Sequence, residues 1–317
     1  MKYLAFLFST YLFTAVSFAA DKPTLRIGVQ ATGTLTWELS VLQDQTNDLN
    51  FQIETQVLAT AEAGKIALQS GAVDLILSDW IWVSRMRGEG VDLTFYPYST
   101  TSGSLMVSKQ STIQTIKDLK GKRLGIAGGD LDKNWLLLRA LAQKDQLDLN
   151  IAVEKTFGAP PLINEQLMQG RVDAALNYWH FGAKLEGQGF RQLIDGKGML
   201  NALGISENVP TMGYVFKQSW ADSHKVAVTA FFAATKKAKQ ALCTSETVWQ
   251  KVLPTHAEDI VTQAKLRQRY CEGNVLNWGK PEQQAAEKIY TLLRAVSNNQ
   301  LTGKSEHLQP GTFWVID

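Results

Sequence analysis

Two short stretches carry the side chains best suited to chemistry. Ser78-Asp79-Trp80 sets a carboxylate beside an indole, and Asn177-Tyr178-Trp179-His180 sets an amide, a phenol, an indole and an imidazole in a row. Aromatic faces stack on planar groups and attract cations, while a carboxylate fixes a hydrogen-bond donor. These are tools for holding a small organic molecule. Asp79 and His180 also offer an acid and a base. No nucleophile motif accompanies them, for GxSxG, HExxH and the P-loop pattern are all absent.

The elements that must position these stretches are written in the chain twice. Leu68, Gly71, Val73, Asp74, Leu77 and Trp80 recur as Leu167, Gly170, Val172, Asp173, Leu176 and Trp179, all at one offset of 99 residues. In each copy a short apolar helix ends at a glycine suited to a left-handed cap. An apolar strand follows, Val73–Leu77 and Val172–Leu176, and the polar-aromatic cluster closes it. Self-similarity at a fixed offset predicts a duplicated unit. Ligands of open α/β sheets sit beyond the carboxyl ends of the strands. Two such ends predict two Rossmann-like α/β lobes facing a shared cleft.

That geometry selects the candidate ligand-binding residues. The first lobe supplies Thr34, Trp37, Thr60, Ser78, Asp79 and Trp80, and a crossing segment supplies Ser99, Thr100 and Thr101. The second lobe supplies Gly129, Asp130, Lys133, Asn134, Trp135, Asn177, Tyr178, Trp179 and His180. Each has a structural alternative. Trp37, Trp135 and one of the pair Trp80 and Trp82 suit a core, as tryptophans commonly do. Asp79, Asp130 and Asp132 suit helix N-caps, and His180 suits a satisfied core position. Anions favour helix N-termini and basic groups. The turn Gly128-Gly129 opens a helix, but Asp130 and Asp132 lie in it and leave Lys133 to compensate. No arginine falls in the set. The pattern points to a neutral, zwitterionic or cationic organic ligand, an amine or pyrimidine for example, with an organic metal chelate as an alternative. No bare metal site or other cofactor is expected, because His224, His256 and His307 are scattered.

At 317 residues, 45% of them hydrophobic and 20% charged, the chain suits two globular domains. A net charge of +2 gives no basis for a nucleic-acid partner. Residues 1–19 read as a secretory signal peptide: Lys2, an apolar run Tyr3–Phe18, then Ser17-Phe18-Ala19 at the cleavage site. No cysteine stands there to carry a lipid. Cys243 and Cys271 are the sole cysteines, and an exported pair is expected to form a disulfide.

Strands are predicted at Leu25–Val29, Phe51–Val57, Leu93–Tyr96, Ser104–Ser108, Arg123–Ala127, Ile151–Val153, Phe190–Ile194 and Gly213–Phe216, besides the two repeated ones. Pro97–Gly103 and Asn208–Thr211 read as two crossings between lobes, the arrangement of a two-strand hinge. Residues 20–100 and 209–317 then form lobe 1, and 101–208 form lobe 2. The C-terminal helices, Lys225–Leu242, Ser245–Val252, Ala257–Arg269 and Pro281–Asn298, are expected to pack on lobe 1.

LRIGV, ALQSGAVDLILSD, TIKDLKGKRLGI and LMQGRVDAALNYW together resemble the substrate-binding proteins of ABC importers. The branch is the nitrate/sulfonate/taurine group, which is similar to the thiamine-pyrimidine binders, and the resemblance spans about residues 24 to 245. It implies a type II periplasmic-binding-protein fold, a monomeric periplasmic receptor for a small-molecule ligand, and an inner-membrane ABC permease as partner. A sensor docking on a membrane receptor shares the same features. An enzyme on this fold is a further alternative, but the cysteine-rich motif of the fold's pyrimidine synthases is absent.

Overall fold

The computed structural model describes residues 22–31, 33–43, 49–252 and 259–316. The expected signal peptide therefore lies outside the described residues. The chain runs β1 (Thr24–Gln30), α1 (Leu35–Gln43), β2 (Gln52–Leu58), α2 (Ala61–Ser70), β3 (Leu75–Ser78), α3 (Trp80–Gly88) and β4 (Leu93–Ser99). Next come β5 (Gly103–Val107), β6 (Arg123–Ala127), α4 (Lys133–Gln143), α5 (Leu149–Ala152), β7 (Glu154–Gly158) and α6 (Pro160–Met168). They are followed by β8 (Ala174–Tyr178), α7 (Trp179–Gly187), β9 (Arg191–Asp195) and α8 (Gly196–Ala202). The last part is β10 (Met212–Lys217), α9 (Gln218–Ser223), α10 (Lys225–Thr244), α11 (Glu246–Val252), α12 (Ile260–Glu272) and α13 (Lys280–Val296).

The strands form two five-stranded sheets, β2-β1-β3-β10-β4 and β7-β6-β8-β5-β9. The sheets match position by position. In each, the first three strands are parallel, and the fourth runs antiparallel to its neighbours. That fourth strand is the one arriving from the other lobe: β5 follows β4 across the first crossing, and β10 follows α8 across the second.

The repeated motif has a physical explanation in both sheets. Gly71 and Gly170 adopt positive φ, 79° and 65°, ending α2 and the turn after α6. Asp74 then clamps the first residues of the neighbouring strand. Its Oδ2 accepts from the Arg26 backbone N at 3.0 Å and from Arg26 Nε at 3.0 Å, its Oδ1 accepts from Nη2, and its own N donates to Arg26 O. Asp173 treats Arg123 identically, with Oδ2 at 2.8 Å from N and 3.2 Å from Nε, and Oδ1 at 2.6 Å from Nη2. The shared aspartates thus register strands.

Two predicted boundaries shift. Ile151–Val153 is not a strand: Asp148 caps the short α5 through Asn150 N at 2.9 Å, and Ile151 is exposed. The strand is the polar β7, an edge with one partner, which needs no apolar alternation. The first crossing shortens to Thr100–Ser102, because β4 continues through Pro97 to Ser99. Pro97 is tolerated on this edge strand opposite Gly213, where the register slips. A side chain at Gly213 would overlap the Phe95 ring. The free side of β4 is covered by the C-terminal segment, with Phe95 N donating to Thr312 O and Trp314 N to Phe95 O, both at 2.9 Å.

The C-terminal helices do not all pack on the first lobe. Helix α10 lies on α1, as expected, but α12 packs along α7 and α13 packs against α4, both helices of the second lobe. Cys243 and Cys271 form the expected disulfide, joining α10 to α12.

Candidate functional site

The strand ends of the two sheets face each other, and three contacts join the lobes there. Asp79, at the end of β3, accepts a hydrogen bond from Lys133 Nζ at 3.0 Å. Trp37 and Trp179 meet edge to face, 6.3 Å between centroids. Arg269 of α12 makes a paired contact with Glu186 of α7, at 2.8 and 2.6 Å.

Asp79 is buried and also caps α3 by accepting from Trp82 N at 3.0 Å. Burial pushes its carboxyl up, but the Lys133 ammonium and the Trp82 N–H outweigh that, and the net shift is downward. Lys133 is raised because Asp79 and Asp132 together outweigh its desolvation. Asp132 caps α4 through Asn134 and Trp135 N, and desolvation raises it despite Lys133. Burial and the Asp132 charge lift the Tyr178 phenol to about 12.

Trp37 and Trp179 both touch Tyr270 of α12, at 5.3 and 6.3 Å, and Trp249 closes the cluster at 5.3 Å from Trp37. Beneath it lies a polar nest. The Tyr98 hydroxyl donates to Glu38 Oε1 at 2.7 Å, and Lys239 Nζ donates to Tyr98 O at 2.9 Å and sits 4.1 Å from the Tyr98 ring centroid. Glu38 is fully buried. Burial raises its carboxyl in spite of Lys239, and burial brings Lys239 down to about 8 in spite of Glu38.

A cavity of about 260 Å³ opens beside Trp179, at the cleft-facing tips of β8, β5 and β9. Thr101, Ser102 and Ser104 line one side, Asp195 and Lys197 another, and Arg269 and Glu272 of α12 the third. An arginine therefore does face the cleft region, contrary to the expectation from sequence. It comes from a helix that the strand-end rule does not reach.

Of the predicted residues, Trp37, Asp79, Lys133 and Trp179 meet at the lobe junction, and Thr100 and Thr101 share the cavity with Trp179. Thr34 joins the nest, its Oγ1 3.5 Å from the Tyr98 hydroxyl. Most of the others are held in structural roles. Trp80 is 3% exposed, donates to Pro210 O at 2.9 Å and packs on Phe313. It is a core residue, so loss of its ring would act on the fold. Trp135 is completely buried and donates to Asp130 Oδ1 at 3.2 Å. Thr60 is exposed and caps α2 through Ala63 N. Ser78 is buried in β3 opposite Gly213. Asn134 accepts from Gly103 N, and Asn177 donates to Pro160 O and Asn164 Oδ1. Gly129 and Asp130 are exposed in the turn before α4.

His180 forms no bond with Asp79. Its ring nitrogens are buried without a hydrogen-bond partner, between Trp179 and Phe181, and burial pushes the imidazole down to about 3. The Asp79/His180 acid–base pair is therefore not assembled. Among the described residues no group of three or more His, Cys, Asp or Glu side chains is placed to hold a metal ion.

Two α/β lobes with the same sheet order, each taking its fourth strand directly from a crossing and facing each other tip to tip, have the fold of the periplasmic binding proteins. The NMT1/THI5-like family model matches residues 46–245, and the chain belongs to that family. The periplasmic aliphatic sulphonate binding protein SsuA from Escherichia coli superposes over 92% of each chain, with a TM-score of 0.74 at 19% identity. The alkanesulfonate-binding protein SsuA from Xanthomonas axonopodis pv. citri, bound to MOPS, covers 93% of this chain and 99% of its own, with a TM-score of 0.69 at 20% identity. A protein of Escherichia coli (strain K12) named for binding aliphatic sulfonates is 32% identical over 134 residues, 41% of each chain. One from Campylobacter jejuni named for binding histidine is 35% identical over 88 residues, 27% of this chain. The matched segments span only 34% and 41% of these two relatives. No helix among the described residues is long and apolar enough to cross a membrane.

Proposed function

We propose that this protein is a solute-binding receptor that captures a small organic molecule between its lobes and delivers it to the permease of an ABC importer. The observation that carries this reading is the lobe junction, where matched strand ends meet through Asp79–Lys133 and Trp37–Trp179. Two strand crossings leave such a junction free to open by a small rotation. The relatives named for sulfonate and histidine binding support the receptor class. The N-terminal leader supports export to the periplasm, with the protein acting there as a monomer.

The chemistry around the cleft favours a neutral or zwitterionic organic solute. Arg269 is already paired with Glu186 and Glu272, and Lys133 with Asp79, so neither is spare for a simple anion. Trp179, the Ser102 hydroxyl and the exposed Lys197 remain for recognition. A thermal-shift screen over sulfonates, amino acids, amines and pyrimidines tests the reading. A true ligand at a hundred times its Kd stabilises by about 2.7 kcal/mol, seen as a rise in Tm of several degrees. Trp179→Ala is expected to abolish that rise while leaving the ligand-free Tm close to wild type. The cleft assignment fails if the variant responds as wild type does, and consumption of the compound would make the protein an enzyme.

A further inference from the structure

Helix α12 touches three parts of the molecule at once. It is joined covalently to α10 of the first lobe through Cys243–Cys271, and Arg267 strengthens this side by donating to Leu242 O at 3.0 Å and pairing with Glu246. Its opposite face lies on α7 of the second lobe. There the backbones come so close that a side chain at Gly187 would overlap Thr262, at 2.5 Å from its Cα. Its C-terminal end rests on the first crossing, where Thr100 N donates to Gly273 O at 3.1 Å. The cavity lies where the helix passes that crossing, and Arg269 is both a wall of the cavity and the residue that grips Glu186. Arg269 reaches Glu186 in the two-pronged geometry that is strong and direction-specific, with both side chains mostly buried.

An ion pair between two helices of one lobe would not resist lobe motion. This one does, because the disulfide fixes α12 to the first lobe while its partner belongs to the second. We propose that Arg269 is the residue that locks the two lobes together around the cavity, and that the Cys243–Cys271 bond makes the lock act across the cleft. The proposal rests on reading the cavity as the solute site. It adds that closure is set by a residue of the C-terminal segment and depends on an oxidised cysteine pair.

The test measures distances in the full chain without added solute, so it is independent of the thermal-shift screen. Spin labels attached by non-cysteine chemistry at Lys237 of α10 and Gln188 after α7 report the lobe separation; both positions are exposed. Wild type is expected to give one short distance. Arg269→Ala and Glu186→Ala are each expected to add a second, longer population. The exchanged pair Glu186→Arg with Arg269→Glu is expected to return the distribution to one distance, which a variant that merely unfolds cannot do. With Cys243→Ser and Cys271→Ser, a label at the exposed Ala264 of α12 should keep its distance to α7 while its distance to α10 broadens. The lock is refuted if the alanine variants keep the wild-type distribution, or if the exchanged pair remains as open as they are. A solute that raises Tm in a protein whose distances ignore Arg269 would leave the receptor standing and remove the lock.

Discussion

The two copies of one motif end differently. In the first lobe the tryptophan after the strand, Trp80, turns into the core and bonds to Pro210 O. In the second, Trp179 stays partly exposed, meets Trp37 across the junction and walls the cavity. The residue before each tryptophan differs as well. Asp79 caps its helix with its side chain and reaches Lys133, whereas Tyr178 makes no side-chain cap. A duplicated scaffold therefore keeps the clamp that registers its strands and lets the tips diverge. Repetition in a sequence marks what holds a lobe together. What the lobe does lies in the positions that do not repeat.

This comparison can be broken most directly at its two tryptophans. Trp80→Ala is expected to cost about 3 to 5 kcal/mol in urea unfolding, the range for removing a buried aromatic ring, while Trp179→Ala costs far less. Equal losses would contradict the different fates of the two rings. The aspartate clamps come next. Asp74→Ala, which removes a buried carboxylate and leaves the Arg26 guanidinium and N–H without their acceptor, should cost about 2 to 3 kcal/mol, and Asp173→Ala, in the more open copy, should cost less in the same assay.

A smaller effect sharpens the contrast between the tips. Asp79→Asn keeps a competent helix cap but removes the charge opposite Lys133, at a cost of about 1 to 2 kcal/mol. The folded carboxyl titrates below its ordinary value, so its stabilisation is complete at neutral pH. It is lost as pH falls through the acid range toward the folded pKa. The asparagine variant should lose that portion of the acid dependence, and unchanged acid profiles for the two proteins would argue against the bridge. The smallest change is Thr60→Ala, about 0.5 to 1 kcal/mol from loss of an exposed cap, with no effect on solute response, which thermal melts with and without ligand would show.

The lobes were legible because their signals are local. Gly71 and Gly170 mark helix ends, and the apolar runs behind Asp74 and Asp173 mark buried strands. The polar edge strand β7 escaped notice, since its neighbour on one side is solvent and it carries no apolar alternation to find. At the lobe junction, Trp37, Asp79, Lys133 and Trp179 are legible from their places after strands. The nest of Glu38, Tyr98, Lys239 and Tyr270 is not. Its members come from α1, β4, α10 and α12, and all four sit inside regular elements whose spacing reads as ordinary core or surface. Arg269 was missed for the same reason: nothing in a helical repeat announces that one face will lie against the other lobe.

The late return of β10 to the first sheet has a consequence for anyone dividing this molecule. Strand β5 lies between β8 and β9, and β10 lies between β3 and β4. A fragment that stopped after residue 99 would lack the piece that belongs in the middle of its own sheet, leaving two raw edges that invite self-association. Such a fragment should therefore clump, and only co-expression with the remainder, which carries β10 as well as the whole second sheet, would return the missing strip.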